Sequence, residues 1–155
     1  MKTRFYKPSD AAQISELFQR SVSELGPRFY SDAQVAAWAA RGPSPDRVRA
    51  RNADGLITFV KVDDDDRVMA YAELETDGHI DQVYAHPDVA GRGFVSALMD
   101  DLEAHARDMG LRALYTEASE GARPLFLKKE FVDQGRRDFE IAGVSIHNYA
   151  MKKAL

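Results

Sequence analysis

Apolar positions recur along the chain with two periods, and the switches between them mark the elements. Thr3 to Tyr6 is a short β-prone run ending at Pro8, and Ser9 or Asp10 then stands ready to cap a helix carrying Ile14, Leu17, Phe18 and Val22 at helical spacing. After the Gly26-Pro27 break, Ser31 and Gln34 have the spacing of a capping box and open a second helix through Val35 and Trp38, which stops near Gly42-Pro43. Pro45 to Asn52 predicts a short basic helix with Arg47, Arg49 and Arg51, alternating too poorly for a strand and suited to a solvated surface. Leu56 to Val62 and Val68 to Leu74 are alternating and β-branched, which predicts a hairpin around Asp63-Asp64-Asp65-Asp66. Ile80 to Ala85 is the next strand. Val95, Leu98, Met99, Leu102, Ala106 and Met109 then keep one helical face apolar until Gly110 supplies a stop. Leu111 to Glu117 predicts a strand, Gly121 to Lys129 a short helix with Pro124 in its first turn, and residues 131–139 and 143–152 two closing strands that turn near Ala142-Gly143.

A chain of 155 residues with 45% hydrophobic content suits one domain over residues 1–155 with a sizeable core. The order of strand, two or three helices, three strands, helix, strand, helix and two strands is mixed α/β, a poor fit to a doubly wound nucleotide-binding sheet. A formal charge of −4 gives no general attraction to nucleic acid or to an anionic membrane. The absence of cysteine excludes disulfides, thiolate nucleophiles and Cys-type zinc sites. The four aspartates at 63–66 lack the spacing and distal glutamate of a calcium loop, so a solvated turn and no metal are expected. No run approaches membrane-spanning length and Met1 to Phe5 lead into no apolar leader, so the expected location is the cytoplasm.

Candidate chemistry concentrates between residues 78 and 109. The strand meets the loop His86-Pro87-Asp88-Val89-Ala90-Gly91-Arg92-Gly93 and then the best-defined helix. Glycines at 91 and 93 leave no Cβ to obstruct a close ligand, and the unpaired N–H groups of the first helical turn point into the same space, which suits a phosphate. Strict alternation along this strand places His79, Asp81, Val83 and Ala85 on one face and Ile80, Gln82 and Tyr84 on the other. Phe29, Tyr30 and Trp38 read as core or staple residues more readily than as the wall of a pocket.

With this loop, the order of elements resembles the GNAT superfamily of acyl-CoA-dependent N-acetyltransferases. Ala90-Gly91-Arg92-Gly93-Phe94-Val95 is similar to its pyrophosphate loop, with Ala90 at a usual Gln or Arg and Val95 at a usual small residue. Ala122, Lys128 and Phe131 fit a second family string, in which Ser119, Phe126 and Glu130 replace Asn, Tyr and Gly. Tyr30-Ser31, Gln34 and Trp38-Ala39 together with Ala122-Arg123-Pro124 look like the YafP-like branch. The resemblance implies a mixed, mostly antiparallel central sheet flanked by helices, an α/β fold of α+β type. It also implies acetyl-CoA as co-substrate and direct attack on its thioester by a primary amine of a small molecule or protein.

Cofactor contacts are expected from the resemblance at Val83, Tyr84 and Ala85, at Ala90, Gly91, Arg92, Gly93, Phe94, Val95 and Ser96, and at Ser119 and Phe126. A base is needed because an ammonium, with a pKa of about 10.4 for a lysine-like amine, has no lone pair with which to attack. His79 falls where the family places its base, Asp81 could orient it or serve instead, and Glu73 and Glu75 on the preceding strand are further candidates. Phe126 has no hydroxyl for the leaving thiolate, which leaves Tyr84, Tyr115 or Tyr149. Phe126, Ala90 and Val95 also motivate a competing expectation, a non-catalytic CoA-binding or regulatory module. The closing strands could add to the sheet of a second copy in a homodimer.

Overall fold

The computed structural model describes all 155 residues. Its elements are β1 (Lys2–Phe5), α1 (Ala11–Leu25), α2 (Asp32–Ala39), α3 (Pro45–Ala53), β2 (Ile57–Val62), β3 (Val68–Leu74), β4 (His79–Ala85), α4 (Phe94–Asp108), β5 (Ala113–Ala118), α5 (Arg123–Lys128), β6 (Val132–Ile141) and β7 (Val144–Ala154). The strands form one seven-stranded sheet in the order β1-β2-β3-β4-β5-β7-β6. Every pair is antiparallel except β4 with β5. This is the mixed, mostly antiparallel architecture expected, and β6 is one of its two outer strands. No helix is long and apolar enough to cross a membrane.

The sheet separates two layers of core. On one side Leu98, Met99, Leu102 and Ala106 of α4 pack on Phe59, Ala70, Ala72, Leu74, Ile80, Leu114 and Met151. Each fully buried side chain of this kind contributes about 1.5–3 kcal/mol. On the other side Ala11, Ile14 and Leu17 of α1, with Val48 of α3, cover Val60, Val62 and Tyr71. Farther along α1, Phe18 and Val22 join Tyr30, Val35, Ile141 and Ile146, which ties the first helices to the closing hairpin.

The capping box of α2 forms as its spacing predicts. Ser31 Oγ accepts the Gln34 N–H and Gln34 Oε1 accepts the Ser31 N–H. Asp10 does not cap α1. It is buried and takes the guanidinium of Arg4 at 2.8 and 2.9 Å, together with the Lys7 N–H. A carboxylate withdrawn from water needs a charged partner more than a helix end needs a cap. In the aspartate turn, Asp63 accepts the N–H groups of Asp65 and Arg67, and Asp66 holds Arg4 and Lys7.

Candidate functional site

Two features of β4 create the site. First, β4 and β5 pair only at His79 with Tyr115 and Ile80 with Thr116, so beyond residue 80 the two strands part. Thr116 Oγ1 donates to the Ile80 carbonyl at 2.8 Å and closes the crotch of the gap. Second, Ala72 pairs with Val83 and Leu74 with Ile80, so Asp81 and Gln82 together oppose the single residue Glu73. That is a β-bulge, and it resets the alternation of the strand.

The consequence is a correction to strict alternation. Ile80 and Val83 both face the α4 side. Asp81 reaches Arg51 of α3, Gln82 reaches the Tyr71 hydroxyl, and Tyr84 packs against Phe18 of α1, all on the opposite side. Two adjacent polar side chains thereby share one face, which regular pleating would forbid.

A cavity of about 490 Å³ lies where β4 runs into the glycine loop. Gly91 and Gly93 have φ of +75° and +84°, and a methyl on either would meet nothing within 4 Å. The positive φ favours glycine, and the open space leaves the loop bare toward a ligand. The first α4 bond runs from the Ala97 N–H to the Gly93 carbonyl, so the N–H groups of Phe94, Val95 and Ser96 are left to the cavity. Arg28 and Lys128 add positive charge to its wall. This cradle fits a pyrophosphate.

Of the expected cofactor positions, Val83, Tyr84, Ala85, Ala90, Gly91, Gly93, Phe94, Val95, Ser96 and Ser119 line this cavity. Arg92 and Phe126 do not. The Arg92 guanidinium lies over the Phe94 ring at 5.5 Å, and Phe126 is buried against Phe131 and borders the neighbouring cavity. Val95, at the usual small position, packs its side chain on the α4 core.

The second cavity, about 730 Å³, opens between the parted strands and the β6–β7 hairpin. The two cavities share Tyr30, Trp38, Val83, Tyr84, Ser119 and Ala122. Core packing as the main role of the aromatic cluster is therefore overturned for Phe29, which is 52% exposed and walls the loop-side cavity. Tyr30 serves both ends: it is buried, accepts the Glu120 N–H, donates to the His147 carbonyl, and walls both cavities. Trp38 donates its indole N–H to the Tyr84 hydroxyl at 3.2 Å. Burial keeps the Tyr84 phenol well above its ordinary pKa, so its proton stays in place.

Carboxylates converge on the gap from both strands. Asp81 is a third exposed, lines the hairpin-side cavity, and takes Arg51 Nη2 at 2.7 Å. Arg51 Nη1 binds Glu73 at 2.9 Å. Glu73 is only 1% exposed, and burial lifts its pKa to about 7 while Arg51 pulls it down. The α3 helix is thus more than a solvated surface, since Arg51 reaches beneath it into the sheet.

On β5, Glu117 lines the same cavity and accepts His79 Nε2 at 2.9 Å, while His79 Nδ1 lies 3.4 Å from Glu75. Burial works against the imidazolium, but Glu117 and Glu75 outweigh it and raise the His79 pKa. His79 and Glu73 line neither cavity. Ligand atoms of Glu75, His79 and Asp81 lie within 4.8 Å of one another, with Arg51 already among them.

Of the three tyrosines considered for the leaving group, only Tyr84 stands where the cavities meet. Tyr115 donates to Asp77 and Tyr149 to Glu120, each at 2.5 Å. Sequence reasoning missed Glu117 and Arg51. Glu117 carried one usable signal, its place near the end of the strand that parts from β4.

Residues 28–153 match the acetyltransferase (GNAT) domain family. The chain is 26% identical over 152 residues to the uncharacterized N-acetyltransferase YafP of Escherichia coli K12, covering 98% of this chain and 95% of that protein. A crystal structure of a GCN5-related N-acetyltransferase from Rhodopseudomonas palustris superposes with a TM-score of 0.90 at 32% identity, covering 99% of this chain and 95% of that one. A phosphinothricin acetyltransferase from Sinorhizobium meliloti, solved in complex with acetyl-CoA, shares the fold with a TM-score of 0.76 at 21% identity, covering 99% of this chain and 88% of that one. Parted strands, a bulged β4 and a bare glycine loop before a helix thus sit in a chain that belongs to the GNAT acetyltransferase family.

Proposed function

We propose that acetyl transfer from acetyl-CoA to an amine, the activity of this family, runs in this chain where the two cavities meet, with the acceptor in the hairpin-side cavity. Acetyl-CoA supplies the activated acetyl group, and the residues present fit it. The glycine loop and the open turn of α4 receive the pyrophosphate, and Arg28 and Lys128 add counter-charge. The stretch of β4 from Asp81 to Ala85 has no partner on its β5 side, which leaves backbone free where the strands part, the kind of fixed dipole that stabilises a developing oxyanion.

Asp81 is the proposed base. It is the candidate carboxylate from the sequence that faces the acceptor cavity, and Arg51 fixes its position. Glu117 faces it from β5 and holds the second carboxylate role, drawing the acceptor ammonium into the gap. His79 acts through Glu117 as a positioning residue, because it lines no cavity and its proton is held by two carboxylates. Tyr84 Oη keeps a proton that no neighbour accepts and offers it as a hydrogen bond to the departing sulfur. A thiolate with a pKa near ~8.5 already leaves readily, so Tyr84 assists where Phe126 has no hydroxyl. The outer edge of β6 is the place for a second copy to pair.

The observation that carries this reading is that Asp81 of β4 and Glu117 of β5 line one cavity at the parted strands, beside the glycine-loop cavity. The test follows thiol release over an amine panel, with acetyl-CoA binding measured alongside. Asp81→Asn is expected to lower kcat by about 100-fold or more with acetyl-CoA affinity unchanged. Unchanged turnover in this variant would remove Asp81 from the role of base.

A further inference from the structure

The walls of the hairpin-side cavity carry an uneven distribution of charge. Asp81 and Glu117 each already have a cation, Arg51 and His79. Three arginines on the same walls have none. Arg41 follows α2, Arg47 is on α3 and Arg137 is on β6, and none of them forms an ion pair. Arg137 donates only to Asn148 Oδ1 at 3.1 Å and lies over the Phe139 ring. All three are exposed, unlike the carboxylates' partners. Phe18, Tyr30, Trp38 and Tyr84 line the same cavity. A volume of about 730 Å³ is that of a small-molecule site.

We infer that the acceptor is a small amino carboxylate with an apolar body: its ammonium faces Asp81 and Glu117, and its carboxylate is held by Arg41, Arg47 and Arg137. This rests on the acetyltransferase reading and specifies its substrate class. An amine without an anion would leave three guanidinium groups unmatched and place a net positive charge beside three more. A guanidinium offers a carboxylate two parallel N–H donors, and aromatic rings suit an apolar body. In the reaction the ammonium gives one proton to Asp81, the freed amine nitrogen bonds to the acetyl carbon, the carbon–sulfur bond breaks, and the second proton shed by the nitrogen passes to the departing sulfur, so that CoA leaves as the thiol.

The test compares amino acids with the amines left by removing their carboxylates, in aromatic, aliphatic and basic pairs such as L-phenylalanine with 2-phenylethylamine. Turnover is read as thiol release. Occupancy is read separately, with CoA present, from the fluorescence of Trp38, the sole tryptophan. At least one amino acid is expected to exceed its decarboxylated partner tenfold or more in kcat/KM and to perturb Trp38. In Arg47→Ala and Arg137→Ala that ratio is expected to fall at least tenfold, chiefly through KM. Equal or better use of the decarboxylated amines, or silence of every amino acid in both readouts, overturns the acceptor class. Failure to bind acetyl-CoA, measured by calorimetry, overturns the acetyltransferase reading instead.

Discussion

Glu73 shows how a single buried carboxyl sets a pH dependence for the whole chain. Its folded pKa is raised to about 7 from an ordinary 4.5, chiefly by burial. Between those pH values the unfolded chain has released this proton and the folded chain has kept it. The contribution of Glu73 to stability therefore falls as pH rises from about 4.5 to 7, and stays low above that. A shift of this size corresponds to on the order of 3 kcal/mol. In urea unfolding, the stability of Glu73→Gln relative to wild type is expected to rise between pH 4.5 and pH 8; a pH-independent difference would contradict the shift. Gly93 acts at the same scale on binding. Alanine there must adopt a φ of +84° and projects a methyl into the open cradle. About 1–2 kcal/mol of stability and a larger share of acetyl-CoA affinity are expected to go, read by urea unfolding and calorimetry.

At the scale of elements, α3 is the least obvious contributor. It looks like a solvated basic helix, yet Arg51 bridges the buried Glu73 and the cavity-facing Asp81. Arg51→Met leaves Glu73 without its cation. Removing one partner of a buried pair costs about 3–5 kcal/mol, and the loss is expected at pH 8 but much reduced at pH 5, where Glu73 holds a proton in the folded state. Denaturation at both pH values checks this; equal losses would show that Arg51 does not stabilise the fold through the charge of Glu73. The boundaries of α1, α2, α4 and the hairpin strands were legible because caps, breaks and periodicity are local. Arg51 with Glu73 and Glu117 with His79 were not, because those partners lie 22 and 38 residues apart. The bulge left no local mark either. Asp81 and Gln82 look like any polar residues in an alternating strand, and only the pairing with β3 shows that two oppose one.

For the molecule as a whole, the formal charge of −4 misdescribes the site, whose rim is cationic. Total charge speaks to solubility and to general attraction, whereas recognition depends on where unpaired charge is left. The glycine loop was readable because its chemistry is contiguous in sequence. The acceptor cavity was not, since it takes residues from α1, α2, α3, β4, β5 and the closing hairpin.

The short seam between β4 and β5 also bears on how the protein opens. Two residue pairs join the leaf β1–β4 to the leaf β5–β7, with the α4 core beneath and a cavity above. Such a seam makes the leaves separate units of local opening. Without ligand, amides of β7 and β3 are expected to exchange with hydrogen isotopes at different apparent free energies. The loop-side cavity touches Val83 to Ala85 on one leaf and Ser119, Gly121 and Ala122 on the other. Bound acetyl-CoA then acts as a staple, and the two exchange free energies are expected to converge as its concentration rises. A single shared value in the ligand-free protein would show that the seam transmits opening across the sheet. With two values, the substrate completes the cooperative unit that the backbone leaves divided.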